Sequence, residues 1–242
     1  MTIHTILSAA LPAELLSYVL NHHVHPTTLI ICSPKSEFIA SVVEDIQRQP
    51  HAKSDQGEPQ EGERSHHQDP EVTGTEVTQA LLSSPLYQVA ISRHVRVVYA
   101  PTVTHLRAHL SVFSPNESCV PAPPPTFTAV EREKPHIILY GFLRLHRDTS
   151  EWSAQGLSNT ASTLVELAHR LSWKAVLIEP RDSPRNTPLR EALRETVPIL
   201  SGGARRLGLH SEDGAWTGRT VEIGRVLGRW FHFQKAQWDS HD

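Results

Sequence analysis

Thr27-Thr28-Leu29-Ile30-Ile31-Cys32-Ser33-Pro34-Lys35-Ser36 is the stretch that decides the fold. Its first six residues form a short apolar run rich in β-branched side chains, without alternation. That pattern suits a strand buried on both faces. Ser33-Pro34 ends the run. Phe38, Ile39, Val42, Val43 and Ile46 then recur at helical spacing, which predicts a helix over about Ser36–Gln49. The same sentence of strand, break and helix repeats downstream. Val95–Tyr99 precedes a helical pattern over Val103–Phe113, and His136–Tyr140 precedes the stripe Leu157, Ala161, Leu164, Ala168 and Leu171. Lys174–Ile178 is a fourth buried strand. Strands alternating with helices predict an α/β domain with a mostly parallel central sheet and helices on both faces.

The flanks are read from the same periodicities. Leu11, Leu15, Leu16, Val19 and Leu20 predict a helix within Leu7–Leu20, and a short helix is expected near Glu76–Leu82. Residues 50–75 hold almost no large apolar side chain. They cannot bury enough surface to offset the entropy of ordering, so a disordered insertion is expected there. Residues 114–135 carry Pro115, Pro121, Pro123, Pro124 and Pro125 and read as a loop, and 180–194 as an Arg-rich loop ending in a helical turn. Val197–Leu200, Arg205–Leu209 and Arg219–Phe233 predict an antiparallel C-terminal β extension. Along the last of these, Val221, Ile223, Leu227, Phe231 and Phe233 share one strand parity, and Arg225 and Arg229 share it with them. All this is consistent with a single domain over residues 1–242.

Composition narrows the functional classes. A formal net charge of −3 gives no whole-chain basic field for nucleic acid. The two cysteines, Cys32 and Cys119, make no disulfide framework, so a reducing compartment is expected. No stretch approaches the length of a membrane span, and the first residues carry no basic n-region. His22, His23, His25, His66 and His67 match no structural zinc spacing, and no metal or other cofactor is expected.

In a doubly wound sheet, ligands sit at the carboxyl ends of the strands. The turn Ser33-Pro34-Lys35-Ser36 places a lysine and a hydroxyl where a phosphate-binding loop would have them. That loop needs glycines so that backbone N–H groups can curl around phosphates, and none is present. Lys35 and Ser36 are therefore a degenerate nucleotide-binding position, or simply a solvated helix start. The His136–Tyr140 strand ends at Gly141-Phe142 without the Mg²⁺-orienting acid, and no catalytic glutamate follows Tyr99-Ala100-Pro101. Three vacant positions together argue against phosphoryl transfer.

From Leu139 onward the residues resemble the RecA/recombinase superfamily, in particular the recombinase paralogs. The segments that carry the resemblance are Leu143-Arg-Leu-His-Arg147, Glu151-Trp-Ser-Ala-Gln-Gly-Leu-Ser158, the helix to Leu171, Lys174–Ile178, Val197–Leu209 and Thr217–Phe233. The strand Thr27–Cys32 stands where that family's P-loop unit belongs. The resemblance implies a RecA-like, P-loop-type core in a pseudo-ATPase. It implies a fungal accessory subunit of homologous recombination, of the Shu-complex type or the SWIM-protein-partner type. Its expected partners are other RecA-like or recombinase subunits and a SWIM-domain protein, with DNA reached through the complex and a nuclear location. An RecA-like accessory subunit of an Elongator-type tRNA-modification complex, in the cytoplasm, is the alternative. A nucleotide-dependent enzyme built around Lys35 and Ser36 is a third reading.

Arg181, Arg185, Arg190 and Arg194 follow the fourth strand, where the resemblance implies a loop facing single-stranded DNA. Arg205-Arg206 is a second basic site. Both are candidate DNA contacts, diluted by Asp182, Glu191 and Glu195. Ser153 reads as a helix cap.

Overall fold

The computed structural model of the chain describes residues 2–21, 24–48, 85–117, 120–124, 134–181, 188–200 and 219–239. The elements are β1 (Thr5–Ala10), α1 (Pro12–Asn21), β2 (Thr27–Ile31), α2 (Lys35–Arg48), α3 (Pro85–Ser92), β3 (Val95–Tyr99) and α4 (Val103–Val112). There follow β4 (His136–Tyr140), α5 (Phe142–His146), α6 (Ala154–Leu171), β5 (Lys174–Pro180) and α7 (Pro188–Arg194). The chain closes with β6 (Thr196–Pro198), β7 (Thr220–Glu222), α8 (Ile223–Leu227) and β8 (His232–Gln234).

Six strands form one sheet in the order β3-β2-β4-β5-β1-β8. Every pairing in it is parallel. β6 and β7 make a separate antiparallel pair, with Val197 opposite Val221. The strands alternate between two apolar layers. Ile30, Ile137, Leu139 and Leu177 pack with Leu106, Leu157, Leu164 and Ile223 of α4, α6 and α8. Leu29, Ile31, Ile138 and Val176 pack on the other side with Leu15 and Val19 of α1 and Phe38 of α2. Burial on both faces is why these strands read as continuous apolar runs.

The expected α/β architecture, parallel sheet and double helical cover are all present. β3 and β4 have the expected bounds, and α2, α4 and α6 lie where the spacing put them. Ser153 caps α6 as expected, its Oγ accepting from the Gly156 N–H at 3.0 Å. Its replacement by alanine is expected to cost about 1 kcal/mol in a urea unfolding titration.

Three expectations need correction. The predicted helix over Leu7–Leu20 is a strand followed by a helix. Thr5–Ala10 is drawn into the sheet between β5 and β8, and Pro12 at the first helical position sets where α1 begins. Second, Arg219–Phe233 is not one strand. Ile223, Val226 and Leu227 are buried at helical spacing in α8, between the short strands β7 and β8. The antiparallel extension is reduced to the β6–β7 pair, and β8 joins the main sheet in parallel. Third, the link after β4, expected to be irregular, holds the short helix α5, whereas the helical turn expected at the end of 180–194 is present as α7. The expected insertion at 50–75, the helix near Glu76–Leu82 and the strand Arg205–Leu209 lie outside the described residues, as does part of the Pro-rich loop.

The order of crossovers positions the site. The chain steps from β1 to β2 to β3 in one direction, with α1 and α2 on one face. It returns through β4 and β5 with α6 on the other. Neighbours β2 and β4 therefore lead to opposite faces, and so do β1 and β5. Such reversals open a crevice outside the carboxyl ends of the strands.

Candidate functional site

A crevice of about 290 Å³ lies at this edge. It is lined by Leu11 and Pro12 after β1, Cys32 and Ser33 after β2, Tyr140 and Gly141 at the end of β4, and Pro180 and Arg181 at the end of β5. Glu37, Phe38, Ser41, Glu44 and Asp45 of α2 form one wall, and Arg144 of α5 faces them. Backbone bonds brace the strand ends: Cys32 N donates to Tyr140 O, Gly141 N to Ile178 O, and Arg181 N to Ala10 O. Gly141 has a φ of +88°, a left-handed conformation that suits glycine. It turns the chain from β4 into α5.

At two of the helix starts on this edge, those of α1 and α5, the backbone groups usually presented to a phosphate are already occupied. The first turn of a helix leaves N–H groups without intrahelical partners, and these favour anions. At the start of α1, Pro12 has no N–H to offer. The Leu11 N–H donates to Glu14 Oε2 at 2.8 Å, half of a capping box, and the Ala13 N–H donates to Asp45 Oδ2 at 2.8 Å. Asp45 reaches across from α2 and is buried. At the start of α5, Glu179 from β5 accepts from the Leu143 N–H at 2.8 Å and, more weakly, from the Arg144 N–H at 3.5 Å. The chain's own carboxylates thus stand at both helix starts.

The cations are engaged as well. Arg181 is 8% exposed and donates to Glu14 Oε1. Arg144 pairs with Glu37 at 2.5 Å near the surface, a contact worth little on its own. Acidic groups outnumber guanidinium groups around the crevice, so a polyphosphate would meet net repulsion. Burial pushes Glu179 up to about 7, only partly offset by the backbone N–H bonds it accepts. Burial likewise raises the Cys32 thiol and the Tyr140 hydroxyl, which donates to Ala10 O at 2.9 Å. Neither is a ready nucleophile.

The predicted site residues scatter. Lys35 and Ser36 begin α2 but are exposed and do not line the crevice. Arg181 is inside it, held by Glu14, rather than on an open loop. Arg190 and Arg194 lie on α7, exposed, in a different groove beside β8. Arg185, Arg205 and Arg206 lie outside the described residues. Gly141 follows β4, and a carboxyl group stands nearby because Glu179 comes from the adjacent strand. Glu14, Asp45 and Glu179 were not singled out in the sequence. Glu14 three positions after Leu11 was a legible signal; Glu179, closing an apolar strand, was not. Asp45, in the polar run of α2, carried none.

No protein-family model matches the chain, and no curated protein matches it in sequence. Among the described residues no helix is long and apolar enough to cross a membrane, and no cluster of three or more His, Cys, Asp or Glu could hold a metal ion.

Proposed function

We propose that this chain is a non-catalytic, RecA-like accessory subunit that supports homologous recombination in the nucleus by assembling with recombinase-like partners. The observation that carries the non-catalytic part is the self-occupied phosphate edge: Glu14 and Asp45 hold the N–H groups at the start of α1, and Glu179 holds those at the start of α5. On this reading the phosphate unit is β1–α1, the first strand–helix turn of the sheet, rather than the turn at Ser33–Ser36.

The strand order supports a P-loop-type core over the other common nucleotide folds. β1 and β2 are parted by β5 and β4. In the dinucleotide-binding and flavodoxin-like orders the first two strands are neighbours. Assembly is supported by an apolar surface: Ile39, Val43 and Ile46 recur on one flank of α2 and are 46%, 47% and 59% exposed. Val97, on the edge strand β3, is 45% exposed. Exposed apolar groups gathered on one element suit a protein contact better than solvent.

Two measurements test this reading. Calorimetric titration with Mg-ATP is expected to show no saturable binding at millimolar nucleotide, and tight binding with turnover would refute the non-catalytic role. Purification of the tagged protein from its own host is expected to bring down recombinase paralogs or a SWIM-domain protein. Elongator subunits in their place would decide for tRNA modification.

A further inference from the structure

We infer that the groove between α6 and α8 is a second, separate site that holds the phosphodiester backbone of a nucleic acid. It has a volume of about 540 Å³ and lies away from the carboxyl-edge crevice. One wall is polar: Gln155, Ser158, Asn159 and Ser162 of α6. The other carries Arg225, in α8, and Arg229, one turn further on.

The chemistry of these walls is one-sided. Among the described residues no carboxylate lines the groove, and the first turn of α6 contains no acidic residue. Arg225 and Arg229 are exposed and make no ion pair or hydrogen bond among the described residues. This sets them apart from Arg107, Arg144, Arg147 and Arg181, each of which holds a glutamate. Ser158 Oγ accepts from the Trp230 indole N–H at 3.3 Å, which leaves its own O–H free to donate into the groove. Gln155 is committed to the backbone of Leu200, and Ser162 donates to Asn159 O. Two guanidinium groups, the Ser158 hydroxyl and the Asn159 amide therefore line one groove as donors.

Two unpaired cations beside neutral polar groups favour an anion, and guanidinium groups suit phosphate oxygens. Two cations a helical turn apart suit a ligand that repeats its charge. Among the described residues no aromatic side chain lines the groove to stack a base. Recognition would therefore be of the backbone, without sequence preference, and strongly dependent on salt.

The test is fluorescence anisotropy of a labelled oligo-dT strand with the full chain over a series of NaCl concentrations. With two phosphate contacts, log K against log[NaCl] is expected to fall with a slope of about −1.4. Arg225→Ala or Arg229→Ala alone should each reduce that slope by about 0.7, and the double variant should weaken binding about tenfold or more at low salt. The double variant Arg190→Ala with Arg194→Ala should leave the slope unchanged. Both pairs are exposed, and matching thermal melts will show that the variants fold. Absence of oligonucleotide binding at low salt overturns the inference, even if inorganic phosphate binds. So does binding that survives loss of Arg225 and Arg229 or depends on Arg190 and Arg194. The inference stands or falls apart from the recombination reading, since it concerns no partner and no nucleotide hydrolysis.

Discussion

Replacing Gly156 with alanine is expected to destabilise the protein by about 3 kcal/mol, lowering the melting temperature by about 10 °C. A Cβ at this position would sit 2.2 Å from the Glu151 carbonyl oxygen and 2.9 Å from its carbon. Those are backbone atoms, so no side-chain rotation can relieve the clash. The turn that presents them is held from several directions. Glu151 N donates to Thr149 Oγ1, Ser153 N to Glu151 O, and Trp152 N to Thr149 O. Arg107 donates to Glu151 Oε2 at 2.6 Å, to Gly156 O at 2.9 Å and to Thr160 Oγ1 at 2.8 Å. Thr160 Oγ1 also lies 3.0 Å from Nε2 of the fully buried His146, whose Nδ1–H donates to Phe142 O. Burial lowers the pKa of that imidazole, which favours the neutral ring this pattern needs. Backing the turn away from a new methyl would disturb all of these bonds. A loss below about 0.5 kcal/mol in urea unfolding would show that the turn yields freely.

The second large effect concerns pH and Glu179. Its carboxyl is raised from 4.5 to about 7 by burial. The folded state therefore holds a proton over a range where the unfolded chain has released it. The stabilisation this provides is fully present below about pH 4.5 and is lost as pH rises through about 7. The shift corresponds to roughly 3 kcal/mol. Glu179→Gln keeps an oxygen acceptor for the Leu143 N–H and removes the ionisation. Its difference in stability from the parent chain should change by about 2–3 kcal/mol in the variant's favour between pH 5 and pH 8. His4, His109 and His146 have lowered pKa values and give the opposite slope near their own range, but they are common to both proteins. The comparison therefore isolates Glu179. Parallel stability profiles would mean that the carboxyl is ionised throughout, held by its backbone donors.

The two effects have different roots in the sequence. Ser153 and Gly156 are legible as a helix start, because a capping hydroxyl three residues before a small residue is a local pattern. What makes Gly156 indispensable is not local, for it depends on how the turn at Glu151 is pinned by Arg107 from α4. Glu179 was passed over because an acid closing an apolar strand looks like a strand end going to solvent. Only the pairing of β4 with β5 shows that it turns instead into the start of α5.

The candidate site divides in the same way. The absence of glycines at Ser33–Ser36 and of an acid at Gly141 could be read directly. That Asp45 also fills the start of α1 could not, since it lies 32 positions from Ala13 and reaches its N–H only because α1 and α2 share one face of the sheet. Arg225 and Arg229 were hidden by a reading of Arg219–Phe233 as a strand, which dispersed them along one parity and concealed the groove they share.

The sequence by itself determined the α/β class, the four apolar strands β2 to β5 and the helices α2, α4 and α6. Each depends on periodicity and local breaks, which neighbouring residues set among themselves. The tertiary structure decided β1, α8 and β8. Thr5–Ala10 and the segment from Thr220 to Gln234 have apolar patterns compatible with either state. A strand is favoured only where a sheet edge offers hydrogen bonds to its backbone, and those edges belong to β5 and β1, distant in the chain.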